Sequence, residues 1–192
     1  SKAKKVNTFR GFLVDCYVRI DAMLNGKPFR LQPMEGSSVF INQPDHFEIQ
    51  EDVIVVGMEN AENFMQIRSQ RWLFDALFPG KQLLFVCRYP QENLENLRSW
   101  LLRIPNRYVH FGDFDLAGVH IYLSEIYAHL GNRSSFLLPS DIEERLAEGN
   151  AALYNQQYAR FKNMAVTDVR LQPLVNMIHH YRRGYEQEGY IR

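Results

Sequence analysis

Three short apolar runs constrain this chain more than anything else in it: residues 53–56 (VIVV), 83–87 (LLFVC) and 107–111 (RYVHF). The first is continuously β-branched, as suits a strand buried on both faces of a parallel sheet, and the second reads as another buried strand. The third is a short β-like run. Between them lie segments of helical spacing. Phe64, Ile67, Phe74 and Leu77 share one face of a helix that stops at Pro79-Gly80. Leu94, Leu97 and Leu101 share a face of a second helix, which starts at Tyr89-Pro90, covers 92–102 and ends at Pro105. A third helix is expected over 117–130, closed by Gly131-Asn132, and residues 136–138 form a fourth strand. Short connections between alternating elements predict an α/β fold: a mostly parallel four-stranded sheet with helices on both faces.

The flanks are expected to be an N-terminal helix/strand extension over 1–45 and a run of C-terminal helices. Phe12, Leu13, Cys16, Tyr17, Ile20 and Leu24 predict a helix over 12–24, ended by Asn25-Gly26 and Pro28. Residues 38–41 read as a short strand in a turn-rich stretch. Ser140-Asp141-Ile142-Glu143 fits a capping box, and Pro173 belongs in the first turn of a later helix. The start, Ser1-Lys2-Ala3-Lys4-Lys5, is basic and lacks an initiator Met. The chain is therefore expected to be a processed or excised piece, with 1–45 the end of an upstream domain and 46–192 the main domain.

Composition excludes more than it selects. The 22 Lys+Arg balance the 22 Asp+Glu exactly in number, so bulk charge announces no nucleic-acid partner. Cys16 and Cys87 form no CxxC pair and read as reduced core thiols, which fits a cytoplasmic protein. No apolar run is long enough to cross a bilayer. The six histidines have no zinc-ligand spacing.

The chemistry is expected at one sheet edge. Ligands of parallel α/β sheets bind beyond the carboxyl ends of the strands. Glu59 follows the first of these strands, and Asp113 and Asp115 sit on the turn that leads from the third strand into its helix. If those strands are neighbours, all three carboxylates converge, and oxygen ligands of this kind suit Mg²⁺. Glu186 and Glu188, in Tyr185-Glu186-Gln187-Glu188, could close the same site from the far end of the chain. The competing local roles are plain: Asp115 as a helix cap, Asp113, Glu186 and Glu188 as solvated charges, Glu59 as a carboxylate favoured by a helix N-terminus.

Taken in order, Met58-Glu59-Asn60 with Phe64, then His110-Phe111-Gly112-Asp113-Phe114-Asp115 with Gly118, then Tyr185-Glu186-Gln187-Glu188 resemble the Toprim domain of the JetD and topoisomerase VI A-subunit type, a Rossmann-like fold. The matched stretches span about 53–190; Tyr185 stands where the pattern has an aliphatic residue. The resemblance implies DNA phosphodiester cleavage with Mg²⁺ or Mn²⁺, in plasmid or phage defence. Glu59, Asp113 and Asp115 would be the catalytic and metal-holding acids, Glu186 and Glu188 would help to hold a second ion, and Glu59 would transfer the proton. It also implies DNA as partner, a homodimer and an SMC-like defence complex. Arg68, Arg71, Arg88, Arg182 and Arg183 are the candidates for DNA contact. Two other readings compete. One is a non-catalytic Toprim module that binds DNA or a partner protein. The more remote one is a haloacid dehalogenase-type phosphatase, against which the late position of the DxD and Leu116-Ala117-Gly118 argue.

Overall fold

The computed structural model describes residues 9–88 and 94–192. The basic start at 1–5 and the expected opening of the second helix at Tyr89, Pro90 and Glu92 lie outside the described residues. The strands are β1 (Phe12–Asp15), β2 (Ile20–Leu24), β3 (Lys27–Leu31), β4 (Val39–Ile41), β5 (Phe47–Glu48), β6 (Ile54–Met58), β7 (Leu83–Cys87), β8 (Tyr108–Phe111) and β9 (Ser134–Phe136). One sheet has the order β4-β1-β7-β6-β8-β9, and a smaller one the order β3-β2-β5. The pairs β7–β6, β6–β8 and β8–β9 are parallel, while β1 runs antiparallel to both β7 and β4. The fold is thus mixed α/β with a mostly parallel main sheet. Every residue of β6, β7 and β8 is buried, as their unbroken apolar sequences require.

The helix expected over 12–24 is not formed; β1 and β2 take its place. The buried positions Phe12, Val14 and Cys16, then Ile20 and Ala22, recur every two residues, which is the period of a strand. Asn25-Gly26 is a hairpin turn rather than a helix stop. Both residues have positive φ (51° and 76°), as a two-residue type I′ connection between right-twisted strands demands. Through β1 and β4, residues 12–41 contribute directly to the main sheet.

The helices are α1 (Ala61–Met65), α2 (Arg71–Leu77), α3 (Glu95–Arg103), α4 (Leu116–Ile121), α5 (Ala128–Leu130), α6 (Ile142–Ala147), α7 (Ala151–Phe161) and α8 (Gln172–Tyr181). The single helix expected after β6 is interrupted by a 3-10 segment, Ile67–Gln70. Buried Gln70 explains the break: its amide donates to the carbonyls of Asn63 (2.7 Å) and Gln66 (3.0 Å), acceptors that a continuing helix would use. From 116 to 130 the chain is helical throughout, with a π-type stretch, Tyr122–Tyr127, between α4 and α5. Gly131 (φ 59°) ends that run as expected. The fourth strand, β9, starts two residues earlier than the sequence indicates. The capping box at 140–143 is not made. Asp141 instead accepts from Arg145 (2.7 Å) and Tyr190 (2.9 Å), spending its carboxylate on the chain terminus. Pro173 does lie in the first turn of α8. Among the described residues no helix is long and apolar enough to cross a membrane.

Candidate acidic site at the strand edge

Because β6 and β8 are neighbours, Glu59 and the DxD turn leave the sheet side by side. The Glu59 backbone N–H donates to Phe111 C=O at 3.0 Å, which extends the pairing one residue beyond β6. Beyond β8 the chain turns into α4 under a tight constraint. A Cβ on Gly118 would lie 2.2 Å from the Asp113 carbonyl oxygen, so only glycine lets the helix start this close to the turn. Asp115 is the N-cap: one carboxylate oxygen accepts from Gly118 N–H at 2.6 Å. Gln157 of α7 accepts from the Ala117 N–H at 3.1 Å in the same first turn.

The C-terminal segment closes over this edge. Phe114 and Tyr185 exchange both backbone hydrogen bonds, at 2.8 and 3.0 Å, as an isolated antiparallel bridge. The Gln187 N–H donates to Asp113 at 2.9 Å. Asn60, which caps α1, donates its side-chain amide to Glu188, and Asn63 donates to Gln187 C=O at 3.0 Å. Tyr190 anchors the segment. It is fully buried, with its ring 6.2 Å from Phe111 and 5.8 Å from Phe114, while Arg145 lies over its outer face at 4.1 Å. Glu188 is thereby brought to the DxD turn, whereas Glu186 is exposed beside it.

The acids fall into two groups. Asp113, Asp115 and Glu188 form one. Burial, reinforced by the negative charges of Asp115 and Glu188, pushes the Asp113 carboxyl up to about 6, with the Gln187 N–H opposing it. Burial also raises the Asp115 carboxyl, against the Gly118 bond. Glu59 belongs to the second group, with Arg88 at 3.3 Å and His110 Nε2 at 3.5 Å from its two oxygens. The Tyr108 hydroxyl lies 3.1 Å from His110 Nδ1. A phenol that donates there leaves the ring proton on Nε2, the nitrogen facing Glu59. Burial pushes the His110 imidazole down and the Tyr108 phenol well up, so both stay neutral at pH 7. Glu59 Oε2 and Glu188 Oε2 are buried oxygens that accept no hydrogen bond. Among the described residues no three His, Cys, Asp or Glu side chains already stand together as a metal site.

A family described as a domain of unknown function, DUF7281, matches residues 17–192. The chain belongs to that family. The DUF7281 match takes in Glu59, the DxD turn and the C-terminal segment, and begins just after β1. No curated protein matches the chain.

Sequence reasoning missed the partners more than the acids. Arg88, assigned to DNA contact, pairs with Glu59; the order β7-β6-β8 puts the ends of those strands together, and no local motif records it. Arg68 binds Asp15 and Pro33 C=O, Arg71 pairs with Asp75, and Arg183 donates to Gly149 C=O. Asn60 and Gln187 were in view as neighbours of acids, and only the closed C-terminus gives them work.

Proposed function

We propose that this chain is a Toprim-type domain that cleaves DNA phosphodiester bonds with Mg²⁺ or Mn²⁺, as its motifs imply. The observation that carries the reading is that Glu59, and beside it the separate group of Asp113, Asp115 and Glu188, stand at the carboxyl edge of adjacent parallel strands, and that one buried oxygen each of Glu59 and Glu188 accepts no hydrogen bond. Buried carboxylate oxygens without partners are expensive, and a hard divalent cation is the ligand that oxygen donors suit. The donors fit in kind. Glu59, Asp113 and Glu188 would hold the ion, and Asp115, already committed to α4, would fix the turn that presents Asp113. Such an ion supplies charge neutralisation of the phosphate and activation of water. Glu59, paired with Arg88 and faced by the Tyr108–His110 pair, would take the proton of the attacking water. Glu186, exposed at the rim, is free to assist a second ion.

A second reading has its own support. Asp115 caps a helix and Glu59 is neutralised by Arg88, which is how acids of a non-catalytic binding module would be satisfied. Cleavage separates the two. With supercoiled plasmid and Mg²⁺ or Mn²⁺, the wild-type chain should nick or linearise the DNA, and Asp113→Ala should lower the rate by about a hundredfold or more. Equal cleavage by both proteins would refute the assignment, and metal-dependent cleavage by neither would favour the binding module.

A further inference from the structure

The charge of this chain cancels overall but not locally. Residues 151–185 hold five Lys and Arg (Arg160, Lys162, Arg170, Arg182, Arg183) and one acid, Asp168. Asp168 is already engaged by Arg170 at 2.7 Å. Within this region α7 and α8 are joined by the bond between the Tyr154 hydroxyl and His179 Nδ1, at 2.8 Å. Beside that bond lies a cleft of about 500 Å³ lined by Tyr154, Asn155, Tyr158, Lys162, His179 and Arg182. No carboxylate lines it. Among the described residues neither Lys162 nor Arg182 has an ion-pair partner. The Tyr158 ring is 46% exposed, with Tyr154 at 5.6 Å and the Lys162 ammonium at 6.0 Å from its centroid.

We propose that this cleft is the seat of single-stranded DNA, with a base stacked on Tyr158 and the backbone phosphates held by Lys162 and Arg182. A half-exposed aromatic ring beside cations without ion-pair partners suits a strand whose bases are unpaired, because every base offers a π-face and duplex pairing hides it. The cleft is also joined to the acidic edge along the chain. Arg182 ends α8, Gly184 exchanges backbone hydrogen bonds with Asn150 at the start of α7, Tyr185 bridges to Phe114, and Gln187 reaches Asp113. Five residue steps span at most about 18 Å.

The choice of DNA rests on the cleavage reading, but the test of the cleft does not need cleavage. Fluorescence anisotropy of a labelled oligothymidylate, with the full chain in EDTA, measures binding alone. The wild type should bind, more weakly as salt rises. Lys162→Glu with Arg182→Glu should weaken binding at least about tenfold and reduce the salt slope by about 1.4, roughly 0.7 per cation on a single strand. Tyr158→Ala should weaken it roughly tenfold without altering the slope, and Tyr158→Phe should restore it. Wild-type affinity in the charge-reversed and Tyr158→Ala proteins, or tighter binding of a duplex of equal length, overturns the proposal. If the wild type binds the oligonucleotide but cuts no plasmid, the cleft stands and the cleavage reading falls. If it cuts plasmid while the cleft variants bind unchanged, the cleft falls and the cleavage reading stands.

Discussion

Asp168 and Asp113 are aspartates of one chain in opposite circumstances. Asp168 is 2% exposed and accepts from Arg170 through the backbone N–H (3.1 Å), Nε (2.8 Å) and Nη2 (2.7 Å), and from the Tyr122 hydroxyl (2.8 Å). Burial tends to raise its carboxyl, yet these bonds hold it below the ordinary range. The same guanidinium donates to Ser134 C=O, so one knot ties the helical run 116–130 to the start of β9. Asp113 is also largely removed from water, but its neighbours are two other acids, and its carboxyl is pushed up to about 6. The chain evidently can satisfy a buried carboxylate with arginine. That it does so at Asp168 and leaves Asp113 among other acids without a cationic partner sets the strand edge apart from a site satisfied for stability alone.

Breaking the satisfied knot should give the largest effect. Asp168→Ala removes the carboxylate to which the Tyr122 hydroxyl and the Arg170 guanidinium donate, and should lower stability by about 3 kcal/mol, read as a lower urea midpoint with unchanged slope. The acid crowded by other acids should behave in the reverse sense. Asp113→Asn removes a charge from an acidic, partly desolvated place, and should raise the stability of the metal-free protein at pH 7.5 by on the order of 1–2 kcal/mol. A destabilised Asp113→Asn protein would mean that the Gln187 bond outweighs the repulsion.

The smallest effect is the pH signature of the same difference. The folded Asp113 carboxyl, at about 6, lies above its ordinary value of 3.8. Between those values the folded state therefore binds more protons than the unfolded chain, so this group's contribution falls as pH rises and is fully lost above about 6. Asp168, held low, contributes in the opposite direction: its stabilisation is present above the ordinary carboxylate range and is lost as pH falls through its folded pKa. Urea titrations from pH 4 to 7 on the wild type and Asp113→Asn should diverge progressively, the variant gaining with pH. Parallel curves would remove the repulsion argument.

The parallel core of the fold was legible in the sequence because β6 and β7 are apolar without interruption and β8 joins them directly ahead of the DxD turn. Residues 12–24 were not, because Asn25-Gly26 serves equally as a helix stop and as a type I′ hairpin turn, and the apolar spacing there satisfies both periods in part. The break between α1 and α2 depends on a buried amide of Gln70, whose burial only the tertiary structure creates. At the site, the acids could be read from motif order, while the adjacency of β6 and β8 entered only as a condition that the strand order then met. The N-cap at Asp115, a local contact, was legible too, whereas the pairing of Glu59 with Arg88 and the docking of Gln187 on Asp113 were not, since each joins residues whose neighbourhood is set by strand order or by the closing of the C-terminus.

The central claim is that the acids at the strand edge await a divalent cation. Thermal unfolding of the wild type and Asp113→Asn, each with EDTA and with saturating Mn²⁺ at pH 7.5, tests it most directly. Binding at a hundred times its Kd stabilises by about 2.7 kcal/mol. The account predicts a rise in Tm of several degrees for the wild type, little or none for Asp113→Asn, and so a reversal of their order on adding metal. A wild-type Tm indifferent to Mn²⁺, or an equal rise in both proteins, would contradict it.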